Sequence, residues 1–260
     1  MEKRLSLITT MLISFSIIAS VMIVRQEKQI NTQERVFANA APSIVSLEDT
    51  VVGARGTGFL VRAKSGKRVI VTNAHVCEIN PGKPMFAVFH RMEDSLRSPL
   101  RFPAIVVKKD GSHDLCIVSV PVDLKAEPLE LADEVYSDSH LYIIGYPAIN
   151  LLSSSDGFVR GYQLVDQEYP LDIKLCVGKK HYTKTVPIEQ ENGATTKEKR
   201  CFLRAKFMFT DALGDHGQSG SPGLNGDGEV VGVMSLITGN ARPFAYLVPL
   251  ESLREFLSSY

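Results

Sequence analysis

The chain from Ala41 onward consists of short apolar or alternating segments separated by Gly, Pro, Asn and Asp. Segments of this kind, bounded by turn-forming residues, are typical of β-strands. Six strands are predicted before a polar bridge around Asp123–Glu130, and six after it. In chain order they are Ser43–Leu47, Gly58–Arg62, Arg68–Thr72, Met85–Phe89, Phe102–Val107, Leu115–Val120, Leu141–Ile144, Gly157–Val165, Ile173–Val177, Cys201–Phe209, Val230–Ile237 and Phe244–Val248.

This strand pattern predicts an all-β fold of two six-stranded antiparallel β-barrels. The first barrel covers about residues 41–122 and the second about residues 133–250. Closing each sheet into a barrel removes the exposed strand edges that favour aggregation. After the last strand, Leu250–Leu257 has apolar residues at helical spacing, and it predicts a C-terminal helix.

An uncharged, mostly apolar segment, Leu5–Val24, lies near the amino terminus between basic residues. About 20 apolar residues can span the hydrocarbon core of a membrane as a helix. We therefore expect an N-terminal transmembrane helix within residues 1–24, a polar linker over residues 25–36, and a domain outside the cytoplasm, periplasmic or extracellular, over residues 37–260. The alternative is a secretory signal cleaved at a small-x-small site such as Ala38–Ala40, which would release a secreted protein.

The charge balance argues against one class of partner. Lys plus Arg and Asp plus Glu each number 29, so the formal net charge is zero, and no basic stripe appears along the chain. Because nucleic-acid binding requires a positive surface, we expect no nucleic-acid partner. The cysteines and histidines show no metal-ligand spacing, so we expect neither a metal nor an organic cofactor.

Three short motifs contain the residue types that hydrolysis by a serine nucleophile requires. His75 follows an apolar strand, Asp114 precedes another, and Ser219 lies in the glycine-rich segment Gly217–Pro222. Each motif alone is weak, because an isolated His or Asp is more often structural and Gly-x-Ser-Gly occurs in many turns. The order His, Asp, Ser, with the first two in barrel one and the serine in barrel two, predicts a catalytic triad. Ser219 would attack, His75 would act as base, and Asp114 would orient the imidazole.

The glycines around the serine predict an oxyanion hole. Glycine at position 217 permits a backbone geometry in which the N–H groups of Gly217 and Ser219 line one concavity. Such donors stabilise the oxyanion that develops during attack on a carbonyl. The Gly-x-Ser-x-Gly elbow and the Ser, acid, His order of the α/β-hydrolases are both absent.

These motifs together resemble the protease domain of the Deg/HtrA branch of the chymotrypsin-like serine proteases, over nearly all of residues 41–258. The resemblance implies that Asp211 is structural and that Ser235 lies near the triad carboxylate on the strand that pairs with substrate. It implies substrate contacts from Leu236 and Ile237, and a pocket floor near Leu213. The matching motifs are Pro42–Val45, Gly56–Phe59, Thr72–His75, Asp114–Leu115, Gly145–Pro147, Thr210–Ala212, Gly217–Gly220 and Ala245–Pro249.

The sequence departs from that branch at several positions. Ser221 replaces the commoner glycine, as in secreted glutamyl endopeptidases, but Met234 stands where those enzymes have a pocket histidine. Met234 therefore argues against glutamate specificity. Because the pocket floor implied near Leu213 is apolar and carries no carboxylate, we expect cleavage after small or medium aliphatic residues rather than after Lys or Arg. His216 replaces the usual proline in the oxyanion segment. About ten residues follow Pro249, so no PDZ domain is expected.

The four cysteines leave two alternatives open. They are either buried free thiols or disulfide partners. Cys176 and Cys201 bracket a polar, Lys-rich insertion, 178–199, that a disulfide could close as a loop. Cys77 and Cys116 each follow a proposed triad residue by two positions, so they could face each other.

The sequence as a whole predicts a serine endopeptidase that cuts polypeptides through an acyl-enzyme, with a role in envelope protein quality control. The membrane would be contacted through the N-terminal helix, and a homo-oligomer is compatible with the sequence. Gln218 stands where trypsin-type zymogens have an aspartate, which predicts activity without proteolytic activation. Two alternatives are a protease-fold peptide-binding protein with little or no turnover and a non-proteolytic acyl hydrolase.

Overall fold

The first barrel contains strands β1 to β6 in a closed antiparallel sheet with the order β1-β2-β3-β6-β5-β4. The computed structural model describes residues 18, 22, 31–49, 55–78, 85–89, 99–121, 126–147, 151–169, 181–189, 195–239 and 241–260. A short helix, α1 (Ala74–Glu78), follows the third strand. The strands are β1 (Ile44–Asp49), β2 (Arg55–Arg62), β3 (Arg68–Thr72), β4 (Met85–Phe89), β5 (Leu100–Asp110) and β6 (Leu115–Ser119).

The second sheet has seven strands in the order β13-β12-β11-β7-β8-β10-β9. Because β13 also pairs with β10, the six strands from β13 to β10 in this order form a closed barrel. The remaining strand, β9, pairs with the first half of β10. The chain ends in helix α2 (Leu250–Ser258). The strands are β7 (His140–Gly145), β8 (Ser153–Tyr169), β9 (His181–Glu189), β10 (Thr195–Leu213), β11 (Pro222–Leu224), β12 (Val230–Ile237) and β13 (Phe244–Pro249).

The central strands are apolar on both faces because each face packs against a different core. In β2, Leu60 points into the interior of barrel one, whereas Phe59 and Val61 pack in a cluster shared with barrel two. That shared cluster also contains Phe207 from β10 and Phe256 from α2. The two barrels therefore bury a common apolar surface, and the segments at the ends of their strands meet along it.

The fold class predicted from the strand pattern is confirmed for the two antiparallel barrels and the C-terminal helix. The polar insertion 178–199 differs from the prediction, since its described part forms β9 and the start of β10 instead of a loop. Alternating β-branched and polar residues account for these strands. Strand β11 was not predicted because three residues are too short to show a period. The predicted strand Ile173–Val177 lies outside the described residues.

The segment before the barrels is described continuously from residue 31 onward. Residues 31–40, which include the end of the linker expected over residues 25–36, are helical. Val36 is buried in the shared core, and the Arg35 guanidinium donates to the Gly226 carbonyl at 2.7 Å. Of the apolar segment 5–24, all but residues 18 and 22 lie outside the described residues. Within the described ranges, no helix has the length and apolarity needed to cross a membrane.

Candidate active site

His75 and Asp114 form a hydrogen-bonded pair at the end of barrel one. Helix α1 begins two residues after β3 and carries His75, while Asp114 immediately precedes β6. His75 Nδ1 lies 2.9 Å from Asp114 Oδ2, and the His75 backbone N–H donates to Asp114 Oδ1 at 3.0 Å. Asp114 is buried and His75 is partly exposed. Donation from Nδ1–H to the carboxylate leaves Nε2 free to accept a proton.

Asp114 is held in an uncommon backbone conformation by contacts from both barrels. Its φ of 54° lies in the left-handed region, which is costly for residues other than glycine. Asn73 Nδ2 donates to the Asp114 carbonyl at 3.0 Å. From β12 of the second barrel, Ser235 Oγ donates to Asp114 Oδ2 at 2.5 Å. The carboxylate is therefore fixed by His75 and Ser235 together.

The turn that precedes Asp114 is stabilised by a second carboxylate. His113 Nδ1 lies 2.7 Å from Asp110 Oδ2, and the Ser112 hydroxyl donates to Asp110 Oδ1 at 2.6 Å. The hydrogen bond from His113 is the main reason that the pKa of Asp110 is far below its usual value; burial opposes the shift and Ser112 reinforces it. The carboxylate therefore stays ionised and closes the turn.

A disulfide joins the two elements that carry His75 and Asp114. Cys77 in α1 bonds to Cys116 in β6, with 6.6 Å between their Cα atoms. This pairing resolves the open alternative in favour of a disulfide for these two residues. Cys201 is also disulfide-bonded. Cys176, which the sequence suggested as its partner, lies outside the described residues.

Ser219 lies in a loop, here called the nucleophile loop (Asp215–Gly220), that packs on barrel one. The N–H of Gln218 donates to the Asp215 carbonyl at 3.1 Å, and the N–H of Gly220 donates to the Met234 carbonyl at 2.8 Å. The N–H groups of Gly217 and Ser219 have no acceptor in the described part of the chain. Gly217 has a φ of 90°, which favours glycine. Two backbone donors on alternate residues are thus left for a ligand.

Ser219 is partly exposed, and its loop contacts the strand that leads to His75. A Cβ built on Gly220 would lie 2.0 Å from the Thr57 carbonyl oxygen and 2.3 Å from Thr72 Oγ1, three residues before His75. Only glycine permits this approach. Between the described side chains of His75 and Ser219 there is no hydrogen bond. Catalytic hydrogen bonds in ligand-free enzymes are often long and tighten when substrate binds.

Strand β12 presents an open edge next to this loop. It pairs with β11 as far as Val233, and the described residues give no strand partner on that side to Ser235, Leu236 or Ile237. A Cβ built on Gly214 would lie 2.6 Å from Ile237 Cγ2 and 2.7 Å from Met234 Cε. Apolar side chains of β12 therefore pack against the backbone at Gly214.

Leu213 and Asp211 differ in how firmly they are held. Leu213 pairs with Phe244 of β13 and is 49 % exposed, so its side chain is not the buried pocket floor that the resemblance implied. Asp211 Oδ1 accepts the Phe158 N–H at 2.6 Å, and its Oδ2 pairs with the Arg160 guanidinium at 2.6 Å. Burial tends to raise the pKa of Asp211, but the Phe158 and Arg160 contacts outweigh it and lower the pKa. Asp211 therefore stabilises β8 against β10.

Two residues with structural contacts to the site were not singled out from the sequence. Asn73 holds Asp114, and Thr57 contacts the nucleophile loop. Gln218 was noted only as the residue at the zymogen aspartate position, and its side chain accepts the Asp215 N–H at 2.9 Å. Asn73 and Thr57 lie inside recognised motifs, but nothing in their local pattern indicates a partner. The described residues contain no cluster of His, Cys, Asp and Glu suited to a metal ion.

Comparison with known proteins agrees with this architecture. Residues 56–233 match the family described as the trypsin-like peptidase domain. Serine protease HTRA4 of Mus musculus is 26 % identical over 245 residues, which cover 91 % of this chain and 42 % of that protein. The mitochondrial serine protease HTRA2 of Bos taurus is 26 % identical over 242 residues, 88 % of this chain and 43 % of that protein. The chain thus spans less than half the length of these relatives.

Two solved structures share the fold. The active form of the Rv3671c protease from M. tuberculosis superposes with a TM-score of 0.59 at 20 % identity, covering 86 % of this chain and 82 % of that one. The MamO protease domain from Magnetospirillum magneticum gives a TM-score of 0.57 at 18 % identity, covering 84 % and 97 %. With the family match extending across both barrels, the chain belongs to the trypsin-like peptidase domain family and is similar to HtrA serine proteases.

Proposed function

We propose that this protein is a serine endopeptidase whose triad is Ser219, His75 and Asp114. The observation that carries the proposal is a partly exposed imidazole hydrogen-bonded to a buried carboxylate, together with a serine loop in which two backbone N–H groups have no acceptor among the described residues. Family membership supports the same conclusion. A substrate carbonyl bound here would have the Ser219 hydroxyl as its nucleophile. The backbone N–H groups of Gly217 and Ser219 would form the oxyanion hole.

The reaction proceeds in two halves. Ser219 Oγ attacks the scissile carbonyl while His75 Nε2 accepts its proton, and the oxyanion is bound by the Gly217 and Ser219 N–H groups. His75 then gives the proton to the leaving amine, and the acyl-enzyme remains. Asp114 stays ionised throughout, held by Ser235, and stabilises the imidazolium. Water repeats the cycle and releases the acid.

Substrate binds as an added strand along Ser235–Ile237, because that edge of β12 is open. Main-chain pairing suits unfolded segments of varied sequence, which fits a role in envelope protein quality control. The accessible apolar side chains of Leu213 and Ile237 favour small or medium aliphatic residues before the cleaved bond. Sequencing the cuts in a peptide library tests this preference, and dominant cleavage after Lys or Arg would contradict it.

The nucleophile loop does not depend on a newly formed amino terminus in this proposal. The Gln218 side chain accepts the Asp215 N–H at 2.9 Å and so closes the loop on itself. We therefore expect full activity without proteolytic activation. Rates measured on proteins that begin at different residues before position 31 should agree. A strong dependence on one particular cut would contradict this part of the proposal.

The central test is hydrolysis of casein by the full chain, with Ser219→Ala as the control. Wild type should cut casein and bind a fluorophosphonate probe covalently, and the variant should do neither. The second candidate is a peptide-binding protein with little turnover, which the missing His75–Ser219 hydrogen bond favours. Under that candidate wild type would bind unfolded peptides but would not react with the probe. Rapid turnover of small esters without cleavage of casein would indicate an acyl hydrolase.

The site of action is a separate part of the proposal. An apolar anchor within residues 5–24 would hold the barrels close to the membrane, on the side that faces away from the cytoplasm. Misfolded or membrane-proximal chains would then be the substrates. Fractionating cells and sizing the mature protein tests the anchor. A soluble product that begins near Ala41 would show that the segment is a cleaved signal. That result would leave the triad proposal unaffected.

A further inference from the structure

Thr57, the third residue of β2, holds two carbonyl groups of the nucleophile loop. Its backbone N–H donates to the Ser219 carbonyl at 2.8 Å, and its hydroxyl donates to the Gly217 carbonyl at 2.9 Å. Thr57 is fully buried. These two bonds are made by one residue of barrel one to a loop of barrel two, so they fix the loop across the boundary between the barrels.

The direction of the Thr57 hydroxyl is set by its other neighbours. The Tyr146 N–H donates to Thr57 Oγ1 at 3.0 Å, which occupies a lone pair of that oxygen. The single hydroxyl proton is then directed to the Gly217 carbonyl. The Thr72 hydroxyl donates to the Thr57 carbonyl at 2.7 Å and ties the residue to the strand before His75. All hydrogen-bonding groups of Thr57 therefore have partners.

The bonds from Thr57 lock alternate peptide groups of the nucleophile loop. The peptide between Gly217 and Gln218 is bonded at its carbonyl to Thr57 and at its N–H to the Asp215 carbonyl. The peptide between Ser219 and Gly220 is likewise bonded at both ends, to Thr57 and to Met234. The N–H groups without an acceptor belong to the His216–Gly217 and Gln218–Ser219 peptides, which lie beside and between the locked ones. The Gln218 carbonyl of the second of these accepts the Ser221 N–H at 2.9 Å.

We propose that Thr57 is a positioning residue that keeps the Gly217 and Ser219 N–H groups aimed at the oxyanion. This inference rests on the proposed endopeptidase function. Gly217 has a φ of 90°, and without the bonds from Thr57 the backbone could rotate at this glycine and direct the Gly217 N–H away from the oxyanion. Removing the hydroxyl would delete both the donor to the Gly217 carbonyl and the acceptor of the Tyr146 N–H, so the loop would be free to rotate toward other partners for that carbonyl.

The test compares Thr57→Val, which keeps the shape of the side chain, with Thr57→Ser, which keeps the hydroxyl. Thr57→Val should lower kcat about 10- to 100-fold with KM changed little, since an oxyanion-hole donor acts mainly in the transition state. Thr57→Ser should stay within about threefold of wild type. Ser43→Ala is the matched control, because it removes a buried hydroxyl that donates to the Glu127 carbonyl away from the site.

Two further readouts separate positioning from general stability. Binding of a peptide boronic acid, which forms a tetrahedral adduct on the serine, should weaken by the same factor as kcat in Thr57→Val. Hydrogen exchange should become faster in the peptide that spans residues 215–221, because the Gln218 and Gly220 N–H groups lose their fixed geometry. Urea unfolding should show similar losses of stability for Thr57→Val and Ser43→Ala.

The outcomes are distinct. Unchanged kcat in Thr57→Val would overturn the inference, and so would an equal loss of kcat in Ser43→Ala. If wild type neither cuts casein nor reacts with fluorophosphonate, the proposed function fails, and hydrogen exchange alone then decides the role of Thr57. Faster exchange in residues 215–221 of Thr57→Val would support loop positioning in a non-catalytic protein. Unchanged exchange would refute it.

Discussion

Removal of the Cys77–Cys116 disulfide should weaken both the fold and the proposed catalysis. The bond joins α1, which carries His75, to β6, which begins next to Asp114. Helix α1 has five residues and buries only the side chains of Ala74 and Val76, so few other contacts hold it. Changing both cysteines to alanine removes the link without leaving a free thiol.

The size of the stability effect follows from the loop that the disulfide closes. The two cysteines are 39 positions apart, and a cross-link over a loop of that length restricts the unfolded chain by about 4 kcal/mol. Because measured effects often fall below this value, we expect a loss of about 2–4 kcal/mol in the free energy of unfolding. A displacement of His75 of about 1 Å relative to Asp114 would lower kcat by up to about 100-fold.

The assay is urea unfolding followed by far-UV circular dichroism, since the chain has no tryptophan for fluorescence. Casein hydrolysis without urea gives kcat for the same samples. The control is a Cys176→Ala/Cys201→Ala variant, which removes the other two cysteines and should retain kcat. Equal losses of kcat in both double variants would show that the effect is general. A Cys77→Ala/Cys116→Ala protein with kcat unchanged and stability within about 0.5 kcal/mol of wild type would refute the reasoning.

Three further substitutions test single contacts. Asp110→Asn should lower the free energy of unfolding by about 1 kcal/mol at neutral pH. The hydrogen bond from His113 depresses the pKa of Asp110 in the folded protein. The stabilisation by the ionised carboxylate is therefore complete above the ordinary pKa of 3.8 and is lost as the pH falls further. Urea unfolding at several pH values should show that the stability difference between wild type and Asp110→Asn becomes smaller in acid. Ser221→Ala should raise the free energy of unfolding by about 1 kcal/mol, because Ser221 Oγ is buried without a hydrogen-bond partner in the described structure. A variant less stable than wild type in urea would contradict this prediction. Ser235→Ala should lower kcat about 10-fold, because the hydrogen bond from Ser235 to the Asp114 carboxylate contributes about 1.5 kcal/mol. Stopped assays over a range of peptide concentrations should show that KM changes little.

Much of the fold was predictable because the strands carry their signal locally. In β2, the consecutive apolar residues Phe59, Leu60 and Val61 indicate a strand buried on both faces, and the two cores on either side account for it. The helix at Leu250–Ser258 was likewise evident from its spacing. Strand β9 was missed because Lys184 interrupts the apolar face formed by Tyr182, Val186 and Ile188 and Pro187 lies within the strand, so that pairing with β10 decides its conformation.

The candidate site was predictable in composition but not in its connections. The order of His75, Asp114 and Ser219 suggested a triad, and the fold brings the first two into hydrogen-bond contact. That Cys77 pairs with Cys116, where free thiols were an equal alternative, depends on the distance between α1 and β6.

Hydrophobic period and local order in the amino-acid sequence were sufficient to identify most strands, the two-barrel architecture and the residue types available for chemistry. How these residues are held depends on contacts between parts of the chain that are far apart in sequence. Thr57 and Ser219 are 162 positions apart in the chain, yet a 2.8 Å hydrogen bond joins them. Such contacts arise where strand ends of two barrels meet over a shared core. Directional bonds between distant backbone groups leave no periodic pattern in the amino-acid sequence.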